Sequence, residues 1–217
     1  NPHLSKESIE NYNYYTLPMA LNYQRNSYKL WESANDTWND PETNFVFDTK
    51  KVSVSNLEEV QKALTKYKVA LQKNKQTEIW IKLCNTINTL FDGDIRKLFK
   101  INDYDVNKIR NYIQKENKVK FPYLSGNKIC NYWLYVLYQY TDIKFKNIEE
   151  LTVAPDTHVV KASYKLGVIT EQELKSNNVQ LIVIDRWNRI LDGTKYHPID
   201  IHTPMWLWSR NGFKELE

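Results

Sequence analysis

The chain has 217 residues, 41% of them hydrophobic and 26% charged, with a formal net charge of +4. It is long enough to bury a core without staples, and its two cysteines, Cys84 and Cys130, are too few for a disulfide framework, a four-thiolate zinc site or an iron–sulfur cluster. The longest apolar run, WLYVLY at 133–138, is far short of a bilayer span and residues 1–15 lack the layout of a signal peptide, so a soluble intracellular protein, cytoplasmic or nuclear, is expected.

Only five glycines occur and clear alternating stretches are nearly absent, which predicts a mostly helical chain. In chain order, NFVFDTKKVSV (44–54) allows a short hairpin, and SNLE (55–58) reads as a capping box opening a helix that runs to about Lys73. DVNKIRNYI (105–113) puts Val106, Ile109, Tyr112 and Ile113 on one stripe. Beyond it, Ile129, Tyr132, Trp133, Val136 and Leu137 predict an amphipathic helix from about Asn127 to Tyr140. In APDTHVVKASYKLGVI (154–169), Asp156 stands where an N-cap belongs, Val159, Ala162 and Leu166 form a stripe, and Gly167 suits the C-terminal end. TEQE (170–173) is a second capping box.

Charge is uneven along this order. From Ile95 to Lys128 nine basic residues face three acidic ones, a net +6, which leaves −2 on the remainder. Such a segment is the footprint of a face that binds a polyanion, although a solvated lysine-rich helix surface has the same composition.

Lys128 is the odd residue of that segment, because it falls in the first turn of a predicted helix, where partial positive charge and unpaired N–H groups disfavour a cation and attract an anion. The turn LSGNK (124–128) would deliver backbone amides to the same place. Shielded by Tyr123, Tyr132 and Trp133, Lys128 is expected to be held as a neutral, nucleophilic amine.

FPYLSGNKI followed by PDTHVVKASYKLG, with Lys128 and Asp156 separated by 28 positions, resembles the helix–hairpin–helix DNA glycosylase superfamily. In that family a hairpin of pattern L-P-G-x-G-x-K ends in the catalytic lysine, and a loop reading roughly V-D-T-H-V opens the helix with the catalytic aspartate. Gly126 keeps the second glycine here, and Leu124 stands at the first. The spacing and the lack of a cluster are closest to the archaeal-type 8-oxoguanine glycosylases, and the likeness covers about residues 86 to 169. It implies an all-α fold over 1–217, a single unit of two helical lobes with the active cleft between them. The helix–hairpin–helix would lie at about 105–140 and the aspartate loop and helix at 154–167.

The implied activity is excision of a damaged base, 8-oxoguanine by that likeness, from double-stranded DNA. A base flipped out of the stack is released when a nucleophile attacks the anomeric carbon while a carboxylate stabilises the cationic sugar. Lys128 and Asp156 would fill these roles, and amine attack leaves a Schiff base whose β-elimination nicks the strand. Ser125, Gly126, Asn127, Lys128 and His158, with Lys118 and Lys120, would hold phosphates. Gln24, Trp80 and Trp206 are the base-pocket candidates, together with Asp200 or His202, between which the pattern does not choose. HPIDIH (197–202) fits no strong metal pattern. No cofactor, no membrane and a monomeric state are expected. A glycosylase acting through water and a non-catalytic DNA-binding module are the alternatives, and the pairing of Lys128 with Asp156 speaks against the second.

Overall fold

In the computed structural model, which describes residues 2–214, no β-strand occurs among the described residues. The chain is mostly helical, as expected, and the β-type pairing among the described residues is an isolated bridge between Asp105 and Lys146. No described helix is long and apolar enough to cross a membrane. Two compact units divide the chain, one ending at Lys146 and the other beginning at Asn147.

The first unit holds α1 (Ile9–Thr16), α2 (Ser27–Asn39), α3 (Thr49–Val54), α4 (Leu57–Lys66), α5 (Lys73–Phe91), α6 (Arg96–Ile101), α7 (Val106–Asn111) and α8 (Asn127–Tyr140). Short polar side chains set several of these starts. Ser8, Asn26, Asp48, Asn56 and Asp105 each accept a first-turn amide of the helix they precede, worth about 1 kcal/mol apiece.

Three expectations of secondary structure fail in this unit. The box read at SNLE does not form, because Asn56 and not Ser55 is the N-cap and takes the Glu59 amide. The segment expected as a hairpin forms a 3-10 turn (Asn44–Phe47) and then α3, because Asp48 caps the amides of Lys50 and Lys51 and so starts a helix. The helix expected to reach Lys73 stops at Lys66. Lys68 turns into the left-handed region at φ +64°, the amide of Ala70 returns to the Leu64 carbonyl, and the Gln76 side chain takes the amides of Leu71 and Gln72 ahead of α5.

The core gathers around α5 and α8. Trp80 on α5 is fully buried and donates its indole N–H to the Val46 carbonyl at 2.8 Å. Trp133 on α8, equally buried, donates to Thr16 Oγ1 at 3.1 Å. Truncating such a ring to alanine costs about 3–5 kcal/mol. Cys84 and Cys130 are buried thiols, and burial pushes that of Cys130 up to about 12 and that of Cys84 higher still. Both therefore serve as apolar filling.

The second unit consists of α9 (Thr157–Lys165), α10 (Glu171–Leu174), α11 (Val179–Leu191) and α12 (His202–Arg210). Val159 and Ala162 of α9 join Val153, Ile169, Val183, Trp187 and Met205 in its core. Leu166 lies past the last helical residue and is half exposed, so the buried stripe is shorter than predicted. Gly167 adopts φ +73° at that end, a conformation that favours glycine. The Trp187 indole donates to Ser163 Oγ at 2.9 Å, so these two buried polar groups are matched to each other. The TEQE capping box forms as predicted, Thr170 and Glu173 exchanging side chain and backbone bonds.

Candidate active site

Within the first unit, α7 continues through a π-type turn (Tyr112–Glu116) and a 3-10 turn (Lys118–Lys120) into residues 121–126, and α8 follows. The turn closes on itself. The amide of Ser125 donates to the Phe121 carbonyl at 3.0 Å and that of Gly126 to the Tyr123 carbonyl at 2.9 Å. These two amides, expected to hold a phosphate, are therefore already engaged.

The available donors lie one step further on. The first bond of α8 runs from the Cys130 amide to the Gly126 carbonyl at 2.8 Å, which leaves the amides of Asn127, Lys128 and Ile129 without an intrahelical acceptor. Gly126 is the N-cap and offers no side chain to satisfy them. Asn127 accepts from the Gln114 side chain at 3.2 Å, which ties the head of α8 to the preceding helical segment.

Lys128 itself is exposed. The aromatic shield expected around it does not form, since Trp133 is turned into the core toward Thr16, Tyr132 packs beside Tyr135, and Tyr123 stacks on Tyr23. Part of the positive charge of this segment is spent on ion pairs. Arg96, Lys97 and Lys108 are paired with Asp94, Asp92 and Asp103, and Arg110 donates to the Asn131 side chain. Lys115, Lys118, Lys120 and Lys128 are exposed and make no ion pair among the described residues. Lys82 of α5 and Lys120 line one shallow groove, and Lys75, Lys82 and Tyr123 line its neighbour.

Gln24 and Trp80 separate at this level. Gln24 is exposed, at φ +50°, beside Tyr23, whose ring stacks on Tyr123 with centroids 5.2 Å apart. The fold thus brings the loop of Gln24 to the turn before Lys128. Arg25 anchors that loop by donating to the carbonyls of Val69 and Lys68, and its burial holds the guanidinium below its usual range. Trp80 is corrected: with its ring fully buried and its N–H spent on Val46, it presents no face to a base.

In the second unit Asp156 heads α9, as expected of a cap. Its Oδ1 accepts the amides of His158 at 2.9 Å and Val159 at 3.0 Å. Its Oδ2 accepts the indole N–H of Trp206 at 2.9 Å. Trp206 meets the His158 ring edge-on at 5.2 Å, and the Arg210 guanidinium lies 5.0 Å from the Trp206 ring centre. His158 Nδ1 is 3.3 Å from Ser209 Oγ. His202 is buried at the start of α12, one turn before Trp206, and Asp200 accepts the His197 amide at 2.9 Å.

Asp156, His158 and Trp206 therefore form one cluster, to which Ser209 and Arg210 belong without having been singled out in the sequence. A residue separated from Asp156 by half a hundred positions carries no local signal of contact; only the Arg210 spacing of one turn from Trp206 was visible. No protein-family model, curated protein or solved structure matches the chain.

Proposed function

We propose that the protein is a DNA glycosylase with lyase activity, built on a helix–hairpin–helix glycosylase fold, that excises a damaged base from double-stranded DNA. Lys128 supplies the amine that attacks the anomeric carbon, and the base departs as a Schiff base forms. Asp156 supplies the carboxylate that stabilises positive charge on the sugar. β-Elimination then nicks the strand. Oxidised purine, 8-oxoguanine first, is the substrate class, as the family likeness implies.

One observation carries this reading: Lys128 is exposed in the first turn of a helix whose first three amides have no intrahelical acceptor, and the segment before it carries exposed lysines at 115, 118 and 120. Open amides at a helix start suit a phosphate, and Lys128 in the same turn is the proposed nucleophile. Gln24, brought to the same turn by the Tyr23–Tyr123 stack, is the first choice for reading the base edge. His158 keeps its proposed phosphate role through the ring nitrogen not facing Ser209.

Borohydride trapping tests the proposal with duplexes carrying 8-oxoguanine, uracil, thymine glycol or an abasic site. A covalent adduct is expected with the intact protein and none with Lys128→Gln, while duplex binding persists. Base release by Lys128→Gln at the parental rate refutes the covalent step and leaves a glycosylase acting through water. The non-catalytic alternative has its own support, since two of the three bonds to Asp156 are ordinary capping bonds. It requires that the intact protein bind DNA and release nothing.

A further inference from the structure

We propose that Trp206 is a positioning residue for Asp156 and not a stacking surface for the flipped base; this rests on the glycosylase reading above. Two α9 amides share one carboxylate oxygen, Oδ1, so on their own they leave the carboxylate able to swing about that oxygen. The indole N–H of Trp206 fixes Oδ2 at 2.9 Å and stops the swing. A donor on each oxygen defines the plane in which the carboxylate meets the sugar cation.

Trp206 is itself held by its neighbours. His158 packs edge-on against it at an interplanar angle of 63°, Arg210 lies over its ring, and α12 presents it from a turn that is buried at His202, Met205 and Ser209. A ring whose N–H is committed, and whose surroundings are an imidazole and a guanidinium of its own unit, is built to hold a partner still. The family pattern, which puts a C-terminal tryptophan on the purine, would ask the same ring to face the base.

Trp206→Phe separates these roles, because it keeps an aromatic face and loses the donor. If Trp206 positions Asp156, kcat for base release from the damaged-base duplex falls roughly tenfold with KM unchanged, the size expected for loss of one charge-assisted bond. An unchanged kcat, or a change confined to KM, makes Trp206 a base reader and the proposal falls. A second measurement does not depend on turnover. The indole N–H resonance of Trp206, assigned from its loss in Trp206→Phe, is expected to move in Asp156→Asn, and an unmoved resonance overturns the positioning role alone. An intact protein that neither releases a base nor forms an adduct overturns the glycosylase reading, and with it the catalytic meaning of the Trp206–Asp156 bond.

Discussion

Replacing Gly126 sets stability and DNA binding against each other. Gly126 has φ −69° and ψ 138°, the extended geometry of an N-cap, and no side chain to accept the open amides of α8. Gly126→Asp would supply that acceptor to the amides of Lys128 or Ile129, at the site proposed for phosphate. Any Cβ at this position lies 3.1 Å from the Tyr123 carbonyl oxygen, so the backbone must yield by a few tenths of an ångström. Gly126→Ala carries the same strain with no acceptor and is the proper reference. Against it, aspartate contributes about 1 kcal/mol as a cap and about 0.3–1 kcal/mol through the helix dipole. For a chain of this length 1 kcal/mol corresponds to roughly 2–4 °C, so Gly126→Asp should melt about 3–8 °C above Gly126→Ala in a calorimetric scan. Duplex binding, followed by fluorescence anisotropy, should move the other way. With the amides occupied and a negative charge added, Kd rises about tenfold or more relative to Gly126→Ala, and the log–log salt slope shrinks by about 0.9 for each phosphate that is no longer neutralised. If the two variants differ in melting temperature but share Kd and salt slope, the head of α8 is a structural feature and not an anion site.

Lys118→Glu with Lys120→Glu removes two exposed cations from the same turn, and duplex affinity should fall on every sequence alike with a shallower salt slope; affinity indifferent to salt in the parental protein would point to a different kind of partner. Glu173 is held well down, to about 2, mainly by the Thr170 amide and then by Arg186. Because its folded value is depressed, what it contributes is fully present above the ordinary glutamate range and is lost as pH falls from about 4.5 toward 2. Melting temperature followed over that window should drop more steeply for the parental protein than for Glu173→Gln.

The elements that were legible in the sequence are those where two local signals agree. α8 shows both an apolar spacing and a glycine-bearing turn, and its bounds are those predicted; α9 shows a cap at Asp156 and a glycine at its far end. At two places where one signal stood alone it misled. The segment 44–54 allowed a hairpin, yet Asp48 within it is a cap that starts a helix. The helix expected to reach Lys73 ends earlier, and Val69 and Ala70 beyond it are buried without being helical. At the candidate site the sequence identified Lys128 and Asp156 as helix starts. It could not tell that the amides of Ser125 and Gly126 are consumed by the turn, that Trp133 points away from Lys128, or that Trp80 has its only polar atom tied to Val46. Each of those facts depends on which side of an element meets a remote one, and composition does not encode it.

The Tyr23–Tyr123 stack joins two loops a hundred positions apart, and each loop carries a residue with a side chain in the left-handed region, Gln24 at φ +50° and Tyr123 at φ +57°. Such conformations cost of order 1 kcal/mol or more apiece and persist only where surrounding contacts hold them. The rings are among those contacts, with the Lys75 amine 5.6 Å from the Tyr123 ring centre as a third member. An insertion between Asn22 and Asn26, ordinarily a cheap change in an exposed connection, would relax the turn that sets the approach to α8, so that a length change far from Lys128 in the chain is registered at its helix.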